Sequence, residues 1–120
     1  MHNTLLFKLD DQPFDVAVIR HIFQTQRGFR DVRFNLPSGR VIEADYVEAD
    51  DSTVVGLNGD RETISLRGTS DAALHAALTL QRNLDTPLRI IDTDNSFDLI
   101  LRDYPNVEEL RTAIANAQAG

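Results

Sequence analysis

The chain has 120 residues, no cysteine, and a formal net charge of −7 from 19 acidic and 12 basic side chains. That length buries somewhat more than about 60% of the unfolded surface in a single domain without a covalent staple. The missing thiols exclude disulfides, cysteine nucleophiles and cysteine-ligated zinc or iron-sulfur centres.

Thr4 to Leu9 reads as a short strand, and Gln12-Pro13 is placed to open a helix over about 14–26. In that window Val18, Ile19, Ile22 and Phe23 share a face with Arg20, His21 and Gln24 opposite, and Gly28 suits a C-terminal cap. The alternation of Phe14, Val16 and Val18 leaves a strand as the competing reading.

From about 30 to 67 the pattern is that of a β-meander. Val32, Phe34 and Leu36 share a face, and Pro37-Ser38-Gly39 suits a three-residue hairpin loop, with proline starting a type I turn and glycine taking the left-handed position. That loop places Phe34 opposite Ile42 and Val32 opposite Ala44 on the buried face. On the other face it sets Arg33 against Glu43, with Asp45 diagonal to it. A turn at Asp50-Asp51 would put Tyr46 opposite Val55 and Ala44 opposite Leu57, and Asn58-Gly59 marks the next hairpin, leading into Ile64 and Leu66.

Ser70 is positioned to N-cap a helix over about 71–84, which Pro87 prevents from continuing. Leu88–Asp92 and Phe97–Leu101 form a hairpin, about 88–101, around Thr93-Asp94-Asn95-Ser96, bringing Ile90 opposite Leu99 and Leu88 opposite Leu101. Ile91 and Ile100 make its second face apolar too, so the hairpin is expected to be central or covered on both sides. Asn106 followed by Glu109 resembles a capping box for a last helix over about 106–118. Hairpin connections dominate this order, so the expected fold is one α+β domain: an antiparallel or mixed sheet with about three helices mainly on one face.

Charge changes sign abruptly along the meander. Residues 20–40 hold five arginines against Asp31, and residues 41–51 hold five carboxylates and no base. If the two blocks neutralise each other across a hairpin, they are structural. If they do not, Arg20, Arg27, Arg30 and Arg40 around Phe29 form a candidate surface for an anion or RNA, and Glu48, Asp50 and Asp51 a candidate contact for a basic partner. Phe29, between helix and strand, reads as the most exposed aromatic, with Phe23 and Phe34 in the core.

Ile90-Ile91-Asp92-Thr93-Asp94-Asn95-Ser96 resembles the strand and DxDx[TV] start of the haloacid-dehalogenase-type phosphotransferases, a resemblance that implies Asp92 as nucleophile and Asp94 as general acid. Only 24 residues follow Ser96, too few for the crossover units and later motifs of that fold. Asp92, Asp94, Ser96, Asp98 and Asp103 also match the ligand positions of an EF-hand loop, but Phe97 stands where its glycine is needed. A polar turn explains the same residues, leaving Asp92, Asp94 and Asp98 as weak metal candidates. His2, His21 and His75 show no metal-ligand spacing, and no GxSxG, P-loop or GxGxxG is present. No catalytic residue and no cofactor is assigned.

These readings converge on a small non-enzymatic binding or accessory protein, regulatory or immunity-type, that meets a protein partner through its acidic surface as a monomer or homodimer. Anion or RNA binding through residues 20–40 is the first alternative, and a carboxylate-dependent enzyme or weak divalent-metal binder the second. The net charge opposes nucleic acid as a general partner. No apolar run approaches the roughly 18 to 20 residues of a membrane span, and no basic-then-apolar leader opens the chain, so the expected location is the cytoplasm with no membrane partner.

Overall fold

In the computed structural model, which describes residues 3–119, the chain runs β1 (Asn3–Lys8), α1 (Val16–Thr25), β2 (Phe29–Phe34), β3 (Ile42–Glu48), β4 (Asp51–Leu57) and β5 (Ile64–Arg67). It continues with α2 (Asp71–Arg82), β6 (Leu88–Asp92), β7 (Asp98–Ile100), a 3-10 turn at Leu101–Asp103 and α3 (Val107–Ala119). The strands form one antiparallel sheet in the order β2-β3-β4-β5-β1-β6-β7, so β1 lies in the interior between the meander and the second hairpin. This is the α+β domain expected from the hairpin-rich order.

Strand alternation places Ile42, Leu57, Ile64, Leu6 and Ile90 side by side across five paired strands, all fully buried. Helices cover this face: α1 packs over β2 and β3, α2 over β3 and β4, and α3 against α2. Glu43, Gly56, Ser65, Leu5, Ile91 and Asp98 form the corresponding row on the other face.

Several local signals act as read. Residues 14–26 do contain a helix rather than a strand. Ser70 Oγ accepts from the Ala73 N–H at 3.4 Å, and Asn106 Oδ1 from the Glu109 N–H at 2.9 Å, capping α2 and α3. The Pro37-Ser38-Gly39 loop keeps Phe34 opposite Ile42 and Arg33 opposite Glu43, with Gly39 at φ 88°. Ile90 pairs with Leu99 as expected.

Other readings need correction. Asp15, not Pro13, starts α1, its Oδ1 accepting from the Ala17 N–H at 2.9 Å. Gln26 caps the other end, and Gly28 belongs to the connection that follows. The β3–β4 turn sits at Ala49-Asp50, with Ala49 at φ 51°, so Tyr46 faces Thr53 and Ala44 faces Val55. Because that slip is two residues, the buried face is unchanged. β2 carries a bulge: Arg30 pairs with Asp45 and Arg33 with Glu43, so Asp31 (φ 55°) and Val32 together oppose Ala44. Phe34 is 47% exposed rather than core. The second hairpin is not covered on both sides either, since β7 is an edge strand with Ile100 39% exposed, and Leu101 opens the 3-10 turn instead of pairing with Leu88.

Candidate functional site

The charge switch resolves first into a structural network. Arg33 donates from Nε to Glu43 Oε2 at 2.8 Å and from Nη2 to Asp45 Oδ1 at 3.2 Å. Arg40 donates from Nη1 to Glu43 Oε1 and from Nη2 to Ser65 Oγ, both at 2.8 Å. Burial pushes the Glu43 carboxyl up, but hydrogen bonds from Arg33 and Arg40, with their charges, outweigh it and hold the group below its usual range. Arg40 therefore belongs to this sheet-face network and not to an anion surface.

The acidic trio divides as well. Asp51 Oδ2 accepts the backbone N–H of Ala72 at 3.0 Å, tying the start of β4 to the first turn of α2. That bond, helped by the Ser70 hydroxyl, lowers its carboxyl below the ordinary value. Asp51 is thus a helix-capping group, while Asp50 is exposed at the tip of the turn.

Glu48 lines a cleft of about 690 Å³ at this end of the sheet, formed by the α1–β2 connection, the end of β3 and one side of α2. Gly28 shapes it. Its φ of +102° suits glycine, and a Cβ there would stand 2.6 Å from Cε2 of the Tyr46 ring, so the backbone lies directly on that ring. The Gly28 carbonyl accepts from the Val47 N–H at 3.0 Å, fixing the connection along β3. Arg27, Arg30 and Arg82, all exposed, are among the residues that line the cleft, with His75, Thr79 and Asn83. Among the described residues, none of the three arginines makes an ion pair.

Arg27, Arg30 and Glu48 therefore come together, whereas Arg20, Arg40, Asp50 and Asp51 do not line the cleft. Phe29 is half-buried, with ring centroids 4.8 Å from both Phe23 and Tyr46, and supports the cleft from the core side. Arg82 has no counterpart among the residues the sequence singles out, and His75 enters there only as a histidine without metal-ligand spacing. The available signal was the spacing of His75, Thr79 and Arg82 at i, i+4 and i+7, a polar stripe on a helix otherwise rich in buried alanine and leucine.

The turn after β6 is accounted for locally. Asp92 is buried, accepting from the Ser96 N–H at 2.7 Å and from the Ser96 hydroxyl, and Asp98 pairs with Arg89 at 2.5 Å. Burial raises the Asp92 carboxyl, but these bonds win and its net shift is downward. Among the described residues no group of three or more His, Asp or Glu side chains is placed to hold a metal ion. No helix of the described residues is long and apolar enough to cross a membrane.

No protein-family model, curated protein or solved structure matches the chain. Its own geometry carries the functional reading.

Proposed function

We propose that the protein is a small binding module whose ligand presents an anionic group to the cleft formed by Arg27, Arg30 and Arg82. The reading rests on one observation: in a chain of net charge −7, three exposed arginines without ion pairs among the described residues border a single cleft, while Arg33 and Arg40 are neutralised by carboxylates. Guanidinium groups bind carboxylate and phosphate through charge-assisted and often bidentate hydrogen bonds, and several converging on one concavity hold an anion more firmly than a scattered surface does. His75, Thr79 and Asn83 add polar groups along one wall. A basic partner docking on the acidic turn has less support, because Asp51 is committed to α2.

Amide-resolved NMR titration with inorganic phosphate tests the proposal. Shifts should concentrate at Gly28, Val47 and Thr79 and vanish in the triple variant Arg27→Gln, Arg30→Gln, Arg82→Gln. Equal binding by that variant, or shifts confined to another surface, sinks the proposal.

A further inference from the structure

Charge balance within the cleft narrows the anion it would take. Arg27, Arg30 and Arg82 against Glu48, with His75 counted neutral, leave a surplus of two positive charges on the lining. A phosphomonoester carries about −1.5 to −2 at pH 7 and presents three acceptor oxygens. A nucleic acid phosphodiester carries one charge per phosphate and needs a track along which successive phosphates are met.

The arrangement of the arginines is not a track. Arg27 and Arg30 lie three residues apart where the α1–β2 connection enters β2, and Arg82 comes from the end of α2, so two distant parts of the chain meet at one concavity. Its volume of about 690 Å³ lies within the range of about 300 to 1,000 Å³ that small-molecule sites occupy. Beyond it, a polymer would meet a chain whose net charge is −7. Resting on the anion-cleft reading, we infer that the ligand is a small molecule bearing a terminal phosphomonoester.

Methyl phosphate and dimethyl phosphate isolate the two head groups without presuming the rest of the ligand. In NMR titrations of the full chain, methyl phosphate should bind about tenfold or more tightly than dimethyl phosphate, the difference expected of a lost charge-assisted contact. Arg30→Gln and Arg82→Gln should each weaken methyl phosphate by about tenfold. Glu48→Gln, which removes the opposing charge, should strengthen it. Equal affinity for the two esters overturns the inference. So does tighter binding of an oligonucleotide lacking terminal phosphates, or of a phosphoserine peptide, than of methyl phosphate. If phosphate and both esters leave the cleft amides unmoved, the anion-cleft reading itself falls. If inorganic phosphate moves them and the esters do not differ, only the phosphomonoester inference falls.

Discussion

Arg40 lies across Gly56. A Cβ on residue 56 would stand 2.6 Å from Arg40 Cδ and 2.8 Å from its Nε, so the side chain that bridges Glu43 and Ser65 occupies the space an alanine would need. Alanine ordinarily improves a strand interior over glycine. Here Gly56→Ala is expected to destabilise by about 1 to 2 kcal/mol, because Arg40 must leave a hydrogen-bonded position. Urea unfolding of the double-mutant cycle with Arg40→Ala checks it. Most of the penalty should disappear in the Arg40→Ala background, and a penalty of the same size in both backgrounds would contradict the relationship.

Glu43 couples that network to pH. Its folded carboxyl lies below the unfolded value of about 4.3, so its stabilisation is fully present above that pH and is lost as pH falls through the folded value. Glu43 is 16% exposed and binds two arginines, so Glu43→Gln should cost about 1 to 2 kcal/mol at neutral pH. The variant should also lose less stability than the wild type between pH 5 and about pH 3. Unfolding midpoints across that window provide the measurement, and parallel acid limbs would count against the assignment.

The cleft depends on Gly28 in a different way. Its φ of +102° penalises any side chain, and a Cβ would collide with the Tyr46 ring at 2.6 Å, so Gly28→Ala is expected to cost about 2 kcal/mol or more. The relief available is movement of Tyr46, whose hydroxyl lies 3.4 Å from Thr79 Oγ1 on the cleft wall. Near-ultraviolet circular dichroism should therefore report a changed tyrosine environment along with the lower melting temperature. An unchanged spectrum with full stability would refute the packing argument.

Short-range turn chemistry was legible in the sequence, and long-range assembly was not. Proline and glycine in the 37–39 loop announce a left-handed position, which is why the Arg33–Glu43 register follows from sequence. The β3–β4 turn gives no such signal, since Ala49 rather than glycine or asparagine adopts φ 51° there. Nor does any local pattern show that β1 inserts between β5 and β6, a pairing made by distant residues. The cleft was half legible for the same reason. Arg27 and Arg30 stood out in a basic stretch, but Arg82 joins them only because α2 packs over β3 and β4.

The bulge in β2 decides which way Phe29 faces, while Phe34 keeps the register set by the 37–39 loop. Had β2 kept one register, Phe29 would point away from Tyr46. The extra residue at Asp31-Val32 instead sets Phe29 opposite Tyr46, inside an aromatic trio with Phe23, while Phe34, opposite Ile42 on the edge strand, is 47% exposed. Phe29→Ala should therefore destabilise the fold by about 2 to 4 kcal/mol, somewhat below the roughly 3 to 5 kcal/mol of a fully buried phenylalanine because Phe29 is only partly buried. Phe34→Ala should change stability by about 0.5 kcal/mol or less. Denaturant unfolding of the two variants side by side makes the comparison. If Phe29→Ala proves as mild as Phe34→Ala, Phe29 is a surface side chain and the bulge does not do what its geometry requires.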